Sequence, residues 1–221
     1  TADYRVRIFT LAHELPFAGH PTLGTCHAWL EAGGRPKRED MIVQECGAGL
    51  IAIRPTEEGL AFAAPPLIRS GAASESEIAR AAQVLRIERS RIIAAQWADN
   101  GPGWLVIMLA SAAEVLAVQP LRHCSERMDI GLVGPYPDGS EAAFELRAIF
   151  SGAHGELIED PVTGSLNASV GQWLFASGRA RGRYTAQQGT TMGRLGRITV
   201  SEDDSGLVWV AGHTRTLLRG G

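Results

Sequence analysis

The 221-residue sequence holds three cysteines, Cys26, Cys46 and Cys124, and no Cys-x-x-Cys spacing. Such sparse thiols argue against a disulfide framework or a zinc site and point to a reducing compartment, the cytoplasm. No apolar run reaches the ~18–20 residues that span a bilayer. The opening residues lack the pattern of a signal peptide, so no membrane association is expected. There is no Lys/Arg run or basic stripe, and the net charge is −3, so nucleic acid is not an expected partner. His13, His27, His123, His154 and His213 show no ligand spacing, and no metal or cofactor is expected. What is present is 45% apolar and 20% charged residues. That is enough to bury a sizeable core, in one large domain or two small ones.

Two stretches stand out, His20-Pro21-Thr22-Leu23-Gly24-Thr25 and Asp160-Pro161-Val162-Thr163-Gly164-Ser165. Each opens a long uncharged run, as a buried helix would. Pro suits the first helical position because it has no N–H to lose there, and Asp160 before Pro161 reads as an N-cap. Gly24, Thr25, Gly164 and Ser165 are small, so a backbone or a ligand can come close. The expected helices run over about Thr22–Ala32 and Pro161–Ala176. Such ends carry free N–H donors and partial positive charge, suited to a carboxylate or phosphate.

The remaining pattern is mostly strand. Tyr4–Phe9 alternates, and short β-rich runs lie near residues 41–44, 50–53, 60–63, 92–97, 104–109, 129–133, 144–150, 184–187, 197–201 and 207–211. Ser74 and Glu77 form a capping box before an amphipathic helix to Leu85, and Ser111 caps a short helix over Ala112–Val118. Loops are expected over Thr10–Gly19 and Ser151–Glu159. An internal repeat follows: Phe9 matches Phe150, Pro21 and Gly24 match Pro161 and Gly164, Trp29-Leu30 matches Trp173-Leu174, Gln44 matches Gln187 and Gly59-Leu60 matches Gly206-Leu207. The repeat divides the chain into lobes over 1–68 and 69–221. The strand, helix and strand near Trp104–Val133, in the roughly 40 residues that precede the Phe144 strand, have no counterpart before Tyr4, so the first lobe reads as N-terminally incomplete.

Two helix starts from two lobes imply a shared cleft, with His20 facing Asp160 and Ser165 beside it. An imidazole and a carboxylate at one small acid can move a proton. At these residues the sequence resembles the PhzF-like (phenazine biosynthesis-like) family. Glu14–Thr25 resembles its first signature, Glu159–Ser165 its second, and Gln188-Gly189 with Met192-Gly193-Arg194 and Arg197-Ile198 its C-terminal segment. The resemblance implies an α+β fold of the diaminopimelate-epimerase-like kind. It has two pseudo-symmetric lobes, each a mostly antiparallel curved sheet around a central helix. It also implies an isomerase without metal or organic cofactor, typically a cytoplasmic homodimer. His20, Asp160 and Ser165 would be catalytic, with Gly19 and Gly164 as backbone donors to the substrate beside His20 and Ser165. The family's Ser-Glu-Thr-type motif, whose Glu is the principal acid/base, has no match before Tyr4. Two functional readings therefore stand: an isomerase of a small carboxylic acid, or a non-catalytic small-anion binder or scaffold of the same fold.

Overall fold

The computed structural model describes residues 1–9 and 14–218; Thr10–His13, part of the expected loop over 10–19, lie outside them. The first half comprises β1 (Tyr4–Arg5), β2 (Ile8–Phe9), β3 (Glu14–Leu15), α1 (Gly19–Glu31), β4 (Ile42–Cys46), β5 (Gly49–Thr56) and β6 (Gly59–Ala63). The second comprises β7 (Arg69–Ala72), α2 (Glu75–Leu85), β8 (Ala94–Asp99), β9 (Trp104–Met108), α3 (Ala112–Ala117), β10 (Asp129–Pro135), β11 (Phe144–Ser151), β12 (Leu157–Asp160), α4 (Gly164–Ala176), β13 (Arg183–Gln188), β14 (Gly196–Glu202) and β15 (Val208–Gly212).

The strand order of the main sheet carries the repeat. It reads β1-β4-β5-β6-β15-β14-β13-β11-β10-β9-β8-β7, with β12 also on β11. Outward from the β6–β15 pair, both arms go antiparallel, antiparallel, parallel: β6–β5, β5–β4, β4–β1 on one side and β15–β14, β14–β13, β13–β11 on the other. The parallel step pairs Tyr4 with Gln44 in one arm and Glu145 with Gln187 in the other. The arms then differ. β11 continues to β10, β9, β8 and β7, whereas β1 ends the sheet. The expected boundary between residues 68 and 69 falls in the link from β6, at the middle of the sheet, to β7, at its edge. The largest core cluster draws on both sides of that link, from Leu23, Ile53 and Phe62 to Val106, Leu166 and Val210.

The capping box at Ser74 is formed in full, with Ser74 Oγ accepting from the Glu77 N–H and Glu77 reaching back to the Ser74 N–H. Several expectations are corrected. Tyr4–Phe9 is two short strands, and the loop over 151–159 contains β12. Pro21 is the third helical residue of α1 rather than its first, and Pro161 lies outside α4. Asp160 is no N-cap: it closes β12, paired with Ala148, and Thr163 stands at the N-cap position. Both central helices have 13 residues and start at Gly19 and Gly164, a shift of 145. The likeness of Pro21 to Pro161 and Gly24 to Gly164 is therefore out of register by five residues.

What brings the helices together is glycine. A methyl added at Gly19 would stand 2.5 Å from Gly164 Cα, and one at Gly164 would stand 2.6 Å from Gly19 Cα, with Phe62 Cε1 within 3.3 Å of both. Only a residue without Cβ permits that approach. Gly24, expected to serve it, has nothing within 4 Å of its added methyl. The helices differ in enclosure: every residue of α4 from Gly164 to Phe175 except Gln172 is buried, whereas α1 buries only Gly19, Thr22, Leu23 and Cys26. Gly19→Ala is expected to lower stability to urea by about 1–3 kcal/mol through overpacking. Gly24→Ala, in open space within the same helix, should instead raise it by about 0.5–1 kcal/mol. A loss at both positions would refute the assignment of close approach to Gly19.

Candidate active site

Neither central helix closes its own first turn. The N-cap residues are Ala18 and Thr163, neither makes a side-chain capping bond, and no acidic residue lies in either first turn. An α-helix leaves its first N–H groups without internal partners and a partial positive charge at that end. Here two such ends abut at Gly19 and Gly164, so their donors share one small region.

The expected site residues fall around this junction in different ways. His20, next to Gly19, is exposed on the first turn of α1. Ser165, next to Gly164, is buried, and its Oγ accepts from the Trp104 indole N–H at 3.2 Å. Indole nitrogen can only donate, so the Ser165 hydroxyl proton is left for another acceptor. The Ser165 carbonyl accepts from Asn100 Nδ2 at 2.9 Å. The turn that carries Asn100 is tightened by Asp99 Oδ1, which accepts from the N–H groups of Gly101 and Gly103, both at 2.7 Å. Asp160 is tied to α4 through Thr163, whose hydroxyl donates to Asp160 Oδ2 at 2.5 Å. Gly19, His20, Gly164 and Ser165 thus cluster by backbone contact, and Asp160 joins through Thr163. Cavities of about 280 and 220 Å³ lie elsewhere, the first lined by Arg122, Arg147 and Glu159 among others, the second by Arg54, Arg183 and Ser201. Among the described residues, no group of three or more His, Cys, Asp or Glu side chains is arranged to hold a metal ion.

With this geometry in view, the comparisons decide the family. The phenazine biosynthesis-like family, PhzC/PhzF, matches residues 1–220. The chain belongs to that family. It is 32% identical over 237 residues to antisense-enhancing sequence 1 of Schizosaccharomyces pombe, covering 99% of this chain and 79% of that protein. It is 27% identical over 214 residues to an uncharacterized isomerase of Pasteurella multocida, covering 96% and 72%. The structure of a PhzF-family phenazine biosynthesis protein from Bacillus anthracis superposes with a TM-score of 0.75 at 20% identity, over 94% of this chain and 76% of that one. The fold is the α+β, diaminopimelate-epimerase-like one that the signatures implied.

In this PhzF-family chain the strand that delivers Asp160 is itself clamped. Arg147, buried on β11, donates from Nε and Nη2 to both Glu159 oxygens at 2.9 and 2.8 Å. Its Nη1 donates to the carbonyls of Val115 and Val118 at the end of α3. Thr191 Oγ1 donates to Glu159 Oε1 at 2.6 Å. Burial pushes the Glu159 carboxyl up, but its bonds to Arg147 and Thr191 and the Arg147 charge outweigh this and hold it below its ordinary value. Its stabilisation is therefore present above the ordinary carboxyl value of 4.5 and lost as pH falls below it.

The start of α4 is held in place by Gln188, which the sequence marks only as part of the C-terminal segment, and by Asn100, Trp104 and Asn167, to which it assigns no site role. The only mark of those three is a polar group inside an uncharged or β-rich run, which periodicity does not resolve into partners. Arg147→Met is expected to cost about 3–5 kcal/mol in denaturant unfolding, because it leaves the half-buried Glu159 carboxylate unpaired. The stability gap between wild type and Glu159→Gln should narrow as pH is lowered through 4.5, and a gap independent of pH would overturn the ion-pair account.

Proposed function

We propose that the chain is an isomerase that moves a proton on a small carboxylic-acid metabolite by acid/base chemistry at the junction of the two helix ends. The observation that carries the reading is the abutment of two uncapped, acid-free helix N-termini at Gly19 and Gly164. A substrate carboxylate there meets backbone N–H donors from both helices, with the Ser165 hydroxyl beside them. His20 and Asp160 are the proton-transfer pair. One takes a proton from carbon, breaking the C–H bond, and the electron pair passes toward the carboxylate. The helix ends stabilise that developing negative charge. The other returns a proton to carbon, on the opposite face or at another position. The isomerase name of the Pasteurella multocida relative supports the class of reaction. Neither a metal nor an organic cofactor enters this reading.

We extend the proposal to a homodimer in the cytoplasm, the three free cysteines, two of them buried, bearing on the reducing compartment alone. No helix among the described residues is long and apolar enough to cross a membrane.

The test is solvent-deuterium incorporation from D₂O into a panel of small chiral and unsaturated carboxylic acids, followed by mass spectrometry. Asp160→Asn should lower incorporation by about 10²–10⁴-fold with its unfolding midpoint kept. Undiminished incorporation in that variant would refute the role of Asp160. Calorimetric binding of an acid with no incorporation would instead identify a small-anion binder of the same fold.

A further inference from the structure

A completely buried amide, Gln188 at the end of β13, sits behind the Asp160-to-Gly164 turn. It makes four hydrogen bonds, which use both of its N–H groups and both lone pairs of its oxygen. Oε1 accepts from the Thr163 backbone N–H at 3.1 Å and from Asn167 Nδ2 at 2.9 Å. Nε2 donates to the Asp160 backbone carbonyl and to Thr163 Oγ1, both at 2.9 Å.

Side-chain amides are often ambiguous in which end is nitrogen. This one is not, because two backbone groups settle it. The Thr163 N–H can only donate, so it faces the oxygen. The Asp160 carbonyl can only accept, so it faces the nitrogen. The second N–H of Gln188 then points at Thr163 Oγ1, which must accept it. A hydroxyl carries one proton, and that of Thr163 is directed to Asp160 Oδ2, 2.5 Å away. Among the described residues, Asp160 Oδ1 has no such partner.

We infer that Gln188 and Thr163 are positioning residues for Asp160: the Gln188 amide sets the direction of the Thr163 hydroxyl, the hydroxyl holds Oδ2, and Oδ1 is left as the oxygen that exchanges a proton with the substrate. The inference rests on the proposed role of Asp160. The first half has only part of the device. Gln44, buried on β4, donates to Thr22 Oγ1 at 3.2 Å and accepts from the Tyr4 hydroxyl at 2.9 Å. Among the described residues no carboxylate ends that chain of bonds, so among them only the second half orients an acid/base group in this way.

The first test needs no substrate. Proton NMR of the full chain should show a slowly exchanging, downfield hydroxyl signal, assigned by its loss in Thr163→Val. Gln188→Glu presents an oxygen where the amide nitrogen stood, so the Thr163 proton turns toward it and the signal is lost or moved. Persistence of the wild-type signal in a folded Gln188→Glu would overturn the relay. The second test uses Thr163→Val and Thr163→Ser, which leave Gln188 in place. With an acid that exchanges in the deuterium panel, Thr163→Val should lower kcat about 10–100-fold with KM within about twofold. Thr163→Ser, which restores the hydroxyl, should stay within about threefold of wild type. A wild-type kcat in Thr163→Val, or an equal loss in Thr163→Ser, would overturn the inference. Full turnover in Asp160→Asn would instead refute the proposed proton-transfer role of Asp160, and the hydroxyl signal would still decide whether the relay exists.

Discussion

Two backbones touch at the centre of this protein with no side chain between them. Gly19 and Gly164 meet closely enough that a methyl on either would overlap the other's Cα. Everything proposed about function depends on that contact. It sets two helix ends tip to tip, brings together the N–H groups of two first turns that no N-cap side chain bonds, and places His20 and Ser165 directly after the touching glycines. Phe62, on the strand where the two arms of the sheet join, fills the space beneath both glycines.

Such a contact needs rigid support, because helix ends fray and like partial charges repel. The support for α4 is heavy. The helix is enclosed, its first turn is held by the β8–β9 turn through Asn100 and Trp104, and β12 is locked by the Arg147–Glu159 pair. For α1 it is lighter: Tyr4 stacks on Trp29 at 5.0 Å, Gln44 ties Thr22, and one flank stays open to solvent where α4 has β8, β9 and β10. A helix with no charge from Gly19 to Leu30 and little amphipathicity has the composition of an enclosed helix, so its exposed flank is the least consistent part of the fold.

The buried amides explain how a symmetric plan yields an asymmetric site. Gln44 and Gln188 occupy matching strands and each grips the fourth residue of its central helix, Thr22 and Asn167. In one half the amide's other end meets a tyrosine. In the other it meets the turn that bears Asp160. A buried amide with all four bonds satisfied has one orientation, and it imposes that orientation on its neighbours.

The amino-acid sequence by itself determined the class of fold, the repeat, most strands, the capped helix at Ser74 and the residues around which the site gathers. These follow from local periodicity, capping chemistry and signature motifs, which a linear pattern records. It misjudged where the central helices begin, because Asp160-Pro161 has the chemistry of a helix start while β11 claims that segment as a paired strand. It also aligned Gly24 with Gly164, since proline and glycine letters matched, although the contact belongs to Gly19. Only the tertiary structure decided which glycines touch, that Ser165 is held by Trp104, and that Gln188 reaches Asp160 through Thr163. Close approach and hydrogen-bond direction depend on distances between residues far apart in the chain, and no spacing within it encodes them.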